Sequence, residues 1–433
     1  MIAKRPGGNR CGAVDHVSRS VGEDRRTCVD DSSARAFTPS RRIVSPYDTL
    51  LSRAGQARVF QGSQVITVTP VQDRAGRRQF IDFPYALYRE HPHWIPQPRI
   101  VERARFKPGH PFFEHAEMQL FLASDAGRLV GRMAAIDDRL HNETHRDNLA
   151  AFGHFEAEGE EAARALFAAA EAWARARGRA RIRGPLNPSL NETAGLLIDA
   201  FDEDPMVMMP YNPPGYAVFI ERSGYHKVKD LLAWTIDLSG NVRTERIARV
   251  VARFQTRHGL TIRSVDLSAF EAEIQRFVDL YCRAWSGNWG FVKPTQAEVR
   301  QLASELRHVI DRDLVIAAEM DGRMVGCGIA LPDLNQTFKD TDGRLFPWGL
   351  LKLLARKRIV TQVRVLLFGV APEWRGTGLG WPLVVELLTR AARRYQRAEL
   401  SWVLEDNELA NGSVVALGGR RYKTYRVYQK ELA

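Results

Sequence analysis

Apolar and polar positions divide the chain into a featureless beginning and a long patterned body. Residues 1–61 are rich in Arg, Ser, Gly and Asp and show little periodicity; they read as a disordered basic extension, or as a start assigned too early. Alternation begins near Val65, where VITVTPV reads as a strand, and FIDFPYALYRE then reads as the start of a helix. The prolines of HPHWIPQPRIVERARF exclude a regular helix and predict an extended, packed segment. MQLFLASD and GRLVGRMAAID predict two strands joined by a turn at Asp125–Gly127. An alanine-rich helix is expected over Glu160–Arg177, with Leu166, Phe167, Ala170 and Trp173 on one face. The strand ARIRGPL, the segment NPSLNETAGLLID and a closing run to TIDL complete this unit.

The same plan then repeats. After a junction and a helix (RIARVVARFQTRHG), the strand TIRSVDL opens a second unit, and DLVIAAEMDGRMVGCGIALPD parallels FLASDAGRLVGRMAAIDD. Gly127–Gly131 recurs as Gly322–Gly326, an offset of 195 residues (322 minus 127). Both units finish with glycine, an aromatic and basic segment and a strand: SGYHKVKDLLAW and GGRRYKTYRVYQ. Offset and order together predict a duplicated domain, with units at 62–240 and 241–433.

The second unit carries the candidate chemistry. Val363–Val370 is an apolar, β-branched run, as a buried strand requires. RGTGLG, residues 375–380, follows as a turn with three glycines, and Leu383, Val384, Leu387, Leu388 and Ala391 then recur at helical spacing. Strand, glycine turn and helix form a phosphate cradle: glycines let backbone N–H groups turn inward, and a helix N-terminus adds partial positive charge. The spacing is neither the dinucleotide fingerprint nor a P-loop, since no Lys-Ser or Lys-Thr follows the last glycine. What remains is R-x-x-G-x-G after a strand ending V-A-P-E-W.

On these residues the sequence resembles the GNAT superfamily of CoA-dependent N-acyltransferases. The resemblance implies that Arg375, Gly376, Thr377, Gly378, Leu379 and Gly380 bind the CoA pyrophosphate. In the first unit FGHFEAEGEE stands in place of that loop, and its glutamates would repel a pyrophosphate. The expected architecture is therefore α/β: two tandem GNAT-like domains, each a mixed central sheet flanked by helices, the N-terminal copy lacking the pyrophosphate loop. FIDFPYALYRE with HPHWIPQPR, then PYNPPGY, GRLFPWGLLKLL and WVLEDN, narrow the resemblance to a tandem family that includes bacterial ceramide synthase-like proteins. It covers the chain from about Val65 and implies acyl transfer from a CoA thioester to the amine of a sphingoid base.

Amide formation from a thioester needs a held donor, a deprotonated amine, an oxyanion donor and a departing thiolate. In the fold this chain resembles, the strand Val363–Val370 splays from its neighbour, and a free backbone N–H near its end meets the thioester carbonyl. Gly369 or Val370 is the candidate; Val370 would both contact the cosubstrate and stabilise the oxyanion. The expected general base is Glu405, at the end of SWVLEDN, where a strand meets a helix. Asn407 stands in the same turn, and it or Asp406 would also cap that helix. The tyrosine that protonates the thiolate in many relatives has no counterpart at the matching spacing, which leaves Tyr422 or Tyr425 as substitutes. Trp285, Trp289 and Phe291 either line an acyl pocket or fill the core. No permanently bound cofactor and no metal are expected; acyl-CoA or acetyl-CoA is the cosubstrate.

Composition adjusts this picture only slightly. A chain of 433 residues, 45% hydrophobic and 26% charged, has room for two cores. The net charge of +11 suits acidic partners, namely CoA phosphates, anionic lipid headgroups or nucleic acid, but no aromatic-interleaved basic repeat favours the last. Cys11, Cys28, Cys282 and Cys327 lie far apart, which indicates neither a zinc site nor a disulfide framework and fits a reducing cytoplasm. His91 and His93 lack acidic or cysteine companions at ligand spacing and read as structural. No apolar run reaches the roughly 18 residues of a spanning helix. However, residues 344–358 set Trp and Leu against Lys352, Arg356, Lys357 and Arg358. That is the composition of an interfacial helix at the inner face of a membrane, or of an amphipathic helix packed on the domain. Two readings stand beside lipid N-acylation: N-acetylation of a small molecule or protein amine, and non-catalytic sensing of acyl-CoA. An aminoacyl-tRNA-dependent transferase is disfavoured by the intact RGTGLG loop.

Overall fold

The computed structural model describes residues 65–240, 245–307 and 309–432; the predicted N-terminal extension, with Cys11 and Cys28, lies outside them. Residues Ser63–Ala433 form one compact unit.

The first repeat opens with β1 (Thr67–Pro70) and helix α1 (Arg74–Leu87), whose first turn is capped by the Asp73 carboxylate accepting from the Gly76 N–H at 2.7 Å. The helix therefore begins a turn and a half before FIDFPYALYRE and carries Pro84 inside it. The proline-rich segment that follows is not extended throughout: once past Pro98, a short helix forms over Arg99–Arg105, because nothing after that proline lacks an N–H. Next come β2 (Ala116–Asp125), β3 (Arg128–Asp138), β4 (Leu149–Ala157), helix α2 (Glu160–Ala176) and β5 (Arg181–Gly184). A small hairpin of β6 (Leu186–Asn187) and β7 (Thr193–Ala194), the two-residue β8 (Leu196–Leu197) and the long β9 (His226–Asp237) finish the repeat.

The second repeat comprises α3 (Glu245–His258), β10 (Thr261–Ser264), α4 (Phe270–Trp285), α5 (Gln296–Leu306), β11 (Val315–Met320) and β12 (Arg323–Pro332). After the 344–358 region come β13 (Gln362–Val370), α6 (Gly380–Ala392), β14 (Arg397–Leu404), α7 (Glu408–Ala416) and β15 (Arg420–Glu431). The repeated G-R-x-V-G stretch is a hairpin both times. Ala126 and Gly127 turn at φ 46° and 85°, and Asp321 and Gly322 at 48° and 72°, the left-handed pair that a two-residue connection requires.

These strands form one mixed sheet in the order β1-β2-β3-β4-β5-β15-β9-β14-β13-β12-β11-β10, with β8 attached to β15. Among the described residues, pairing is parallel only at β4–β5 and β13–β14. The last strand of each repeat crosses over: β15 lies between β5 and β9, and β9 lies between β15 and β14. The sheet is thus continuous from one repeat to the other. In the second repeat α6 buries Leu383, Val384, Leu387, Leu388 and Ala391, the predicted face; in the first, α2 buries Leu166, Phe167 and Ala170. Cys327 is fully buried within β12.

Candidate active site at the strand splay

The parallel pairing of β13 with β14 ends at Val365↔Leu400, although β13 continues to Val370 and β14 to Leu404. Beyond that point the two strands part. Burial follows: Val363–Val365 are buried, while residues 366–370 are only half-buried. A bulge lies just at the parting, since Ile329 pairs with Leu367 but Ala330 with Val365, so Leu366 has no partner.

Antiparallel geometry decides which N–H groups enter the gap. The Ala371 N–H donates to Val325 O at 2.8 Å, so Gly369 and Leu367, in unbroken register, also aim their N–H groups at β12. Those of Val370 and Phe368 point the other way, into the splay. Of the two expected oxyanion donors Val370 has the right direction and Gly369 does not. Gly369 has a different use: a Cβ there would lie 2.2 Å from Trp285 Cη2, so the indole rests directly on the backbone.

The first repeat shows the same gap, closed. Gly131↔Ala157 is the counterpart of Gly326↔Val370, and the Glu158 N–H donates to Val130 O as Ala371 does to Val325. The Ala157 N–H, equivalent to that of Val370, donates to Tyr216 Oη at 2.9 Å, and Tyr216 donates to the Glu156 carboxylate at 3.0 Å. A Cβ on Gly153 would fall 1.7 Å from Leu186 O, so the chain's own backbone occupies this splay. Helix α2, where the cradle would be, carries Glu160 and Glu161 in its first turn. The N-terminal copy has neither space nor charge for a pyrophosphate.

In the second repeat the loop is open. Gly376 and Gly378 adopt φ of 72° and 98°, which only glycine takes without strain, and no atom comes within 4 Å of a Cβ placed on Gly376. Helix α6 starts at Gly380 with no side-chain cap and no acidic residue in its first turn; the Trp381 N–H turns back to Gly378 O at 3.1 Å and Pro382 has no N–H, so the loop and Gly380 amides are the ones left to an anion. The other loop residues hold the turn. Thr377 Oγ1 donates to Trp374 O at 2.8 Å, Leu379 is buried in the core, and the Arg375 guanidinium donates to Ala284 O at the end of α4. Through this bond Arg375 ties the loop to α4.

A cavity of about 410 Å³ opens against the splay, walled by Leu366 and Leu367 of β13 and Ser401 and Trp402 of β14. Helix α4 lines it with Phe270, Ile274, Phe277, Tyr281 and Trp285 along one face, and α5 with Val299, Leu302 and Leu306. Trp289 and Phe291 belong to the same wall, so the three predicted aromatics line a pocket rather than fill the core. The first repeat supplies Leu190, Met208 and Leu231, and with them Arg105 and Glu192. Beside the cavity Arg364 is buried, its Nε donating to Ser401 Oγ at 2.9 Å and its Nη1 to Val207 O at 3.0 Å.

The remaining predicted residues lie outside this wall. The Glu405 carboxylate accepts from Lys227 Nζ at 2.6 Å and from the Asp230 N–H at 3.0 Å, a β9–β14 clamp, and it is not among the residues that line the cavity. Asn407 Oδ1 caps α7 by accepting from the Ala410 N–H at 3.1 Å, and Asp406 pairs with Lys229 at 2.7 Å. Tyr422 is 8% exposed and donates to the Glu399 carboxylate; burial and that negative charge push its hydroxyl far above the ordinary tyrosine range. It is not among the residues that line the cavity. Tyr425 is fully buried as well. Glu192, Arg105, Ser401 and Arg364 escaped the sequence reading because their roles depend on chain crossings between repeats. Glu192 in LNET carries no local signal.

The chain matches no family model. It is 39% identical over 378 residues to the bacterial ceramide synthase of Caulobacter vibrioides, covering 85% of this chain and 98% of that protein. It is 35% identical over 364 residues to protein YghO of Escherichia coli K12, covering 82% and 93%. Among solved structures, a tandem GNAT protein from the clavulanic acid biosynthesis pathway superposes with a TM-score of 0.51 at 15% identity, over 85% of this chain and 99% of that one. A GCN5-related glucosamine N-acetyltransferase region of a fungal GH3 β-N-acetylglucosaminidase gives 0.53 at 15% identity, over 86% of this chain and 38% of that one.

Proposed function

The chain belongs to the tandem GNAT N-acyltransferases, in the family of the bacterial ceramide synthase, and on that premise we propose that it transfers a long-chain acyl group from a CoA thioester to the amine of a sphingoid-type base. One observation carries the substrate reading: an apolar cavity of about 410 Å³ reaches the splay where a thioester carbonyl would sit. An acetyl group and a small polar amine would leave most of those walls wetted and unused, whereas an alkyl chain gains about 0.8 kcal/mol for each methylene buried.

In this reading the pyrophosphate lies on the amides of Gly376–Gly380 at the start of α6. The thioester carbonyl accepts from the Val370 N–H, which strengthens as the oxygen becomes an oxyanion. The neutral amine attacks the carbonyl carbon, the new C–N bond forms, and the C–S bond breaks to release CoA thiolate. The amine's proton leaves through a base and ends on the thiolate or in solvent. The acyl-CoA is a cosubstrate that enters and leaves each cycle.

The same reading extends to the membrane. Phe346 and Trp348 are 77% and 72% exposed, and Leu351 and Leu354 are 53% and 66% exposed. Arg344, Lys357 and Arg358 stand exposed around them. Among the described residues no helix is long and apolar enough to cross a bilayer. We assign this surface to peripheral contact with an anionic bilayer, at the inner face of the cytoplasmic membrane, from which a lipid amine would be drawn.

The test is thiol release by the purified protein from acetyl-CoA and from a long-chain acyl-CoA, each with and without a sphingoid base. Base-dependent release from the long-chain donor, abolished by Gly378→Trp, is expected. Release from acetyl-CoA alone, independent of the base, would replace this reading with small-acceptor acetylation.

A further inference from the structure

A long-chain amine is an ammonium ion near neutral pH, so the enzyme must both hold a cation and remove its proton before attack. The cavity wall contains several charged groups, and most are already engaged. Glu273 accepts from Arg263 at 2.7 and 2.8 Å and from Arg276 at 3.2 Å. Glu298 accepts from the Thr295 N–H at 2.7 Å in a capping box and is paired with His115 at 3.2 Å. Glu305 is exposed and accepts from Gln301 at 3.0 Å. Arg364 is engaged by Ser401 Oγ and three backbone carbonyls, those of Val207, Met208 and Ser401. Glu192 differs. It lines the cavity, and its carboxylate has neither a hydrogen bond nor an ion pair among the described residues.

The loop carrying it is fixed from the opposite repeat. Asn191 Nδ2 donates to Val292 O at 2.9 Å, and Tyr281 Oη donates to Asn191 Oδ1 at 3.3 Å. Leu190 packs so closely on Gly290 that a Cβ there would be 2.3 Å from Leu190 Cδ1. A first-repeat carboxylate is thereby held against the aromatic wall of the second. Trp402 is in the same wall, and its indole N–H is buried without a partner among the described residues.

We propose that Glu192, supplied by the repeat that lacks a CoA loop, is the carboxylate that binds the acceptor ammonium and takes its proton, and that Trp402 donates to a hydroxyl oxygen of the same molecule. The site then fits a long-chain amino alcohol. This deepens the acyl-transfer reading and rests on it for the chemical step, though not for binding. Proton transfer moves one proton from R–NH₃⁺ to the carboxylate, leaving R–NH₂ and a neutral Glu192 carboxyl that returns its proton to thiolate or solvent.

The electrostatics agree. Burial, and after it the opposing pull of Arg105 and the added push of Glu298, Glu305 and Glu102, bring Glu192 to about 7. His110 in the wall is held below its ordinary value, chiefly by burial, and stays neutral at that pH. Arg105 lies 3.6 Å from Glu102, so part of its charge is already answered.

The experiment compares wild type with Glu192→Gln, on the full chain. Binding of a long-chain amine and of the alcohol of equal length is read by tryptophan fluorescence without CoA, and acyl transfer is measured across pH 5.5–9. Wild type should prefer the amine, and its kcat/KM for amine should carry an acidic limb near pH 7. Glu192→Gln should abolish the preference, lower kcat/KM by roughly 100-fold or more and remove that limb. Its melting temperature and CoA affinity should be unchanged. A variant with wild-type amine preference and pH profile would overturn the proposal. A wild type that prefers the amine but transfers no acyl group would leave the amine site standing and sink the acyl-transfer reading instead.

Discussion

His115 sits between two acids, with Nδ1 at 2.9 Å from Asp138 and Nε2 at 3.2 Å from Glu298. Burial alone would lower its pKa, but the two hydrogen bonds and their charges outweigh it and raise it to about 9. An unfolded histidine titrates near 6.5, so the stability this residue contributes is complete below that pH and is lost as pH rises to about 9. Urea midpoints should therefore decline between pH 6.5 and 9, and His115→Gln should flatten that decline; an equally steep slope in the variant would refute the assignment. Asn407 offers a second test at this scale. Because it caps α7, Asn407→Ala should cost about 1 kcal/mol in urea unfolding while leaving acyl transfer intact. Glu405→Gln, which breaks a partly exposed clamp, should cost at most about 1 kcal/mol, with turnover also intact. A large loss of kcat in Glu405→Gln would restore that residue as the base. A strand-end acid such as Glu405 looks catalytic in sequence because sequence cannot show that Lys227, 178 residues away, already holds it.

Whole elements were easier to read than single residues. The strand, glycine turn and helix of residues 363–390 carry their roles in local pattern: β-branched residues, left-handed glycines and a helical apolar stripe lie side by side in the chain. The 344–358 region was legible in composition but not in form. Instead of one interfacial helix it makes a turn over Leu345–Gly349 and two short helices, Leu350–Leu354 and Arg356–Ile359. Apolar side chains still project into solvent from this broken form. Trp348→Ser with Leu354→Ser should remove two insertions of about 1.5–3 kcal/mol each. Sedimentation with anionic vesicles should then fall by at least roughly 100-fold in affinity, while thiol release on a detergent-dispersed amine is retained. Neutral vesicles, or high salt, should weaken wild-type binding, since each basic residue near the surface is worth about 1 kcal/mol. Undiminished binding by the double variant would make the patch an ordinary surface.

At the scale of the molecule, the repeat was visible in the sequence but its joinery was not. The 195-residue offset and the paired hairpins predicted two copies, and pairs such as Gly131↔Ala157 and Gly326↔Val370 match them strand for strand. Nothing local in β9 or β15 says which sheet each will join, because a strand's pattern records which faces are buried and not who its neighbour is. In the fold β9 runs beside β14 and β15 beside β5, so a cut at residue 240 separates strands that pair across it. Expressed alone, 241–433 would keep β15 without its two neighbours and leave the edge of β14 bare; 62–240 would lose the strand beside β5. We expect each fragment to be insoluble or largely unfolded by circular dichroism. Coexpressed, they should copurify as one particle that binds CoA. The acceptor wall depends on the same joinery, since Leu190, Met208 and Glu192 come from one repeat and α4 and α5 from the other. A soluble 241–433 fragment that binds CoA and transfers acyl groups to a long-chain amine unaided would show that the first repeat is dispensable, and with it the carboxylate it contributes.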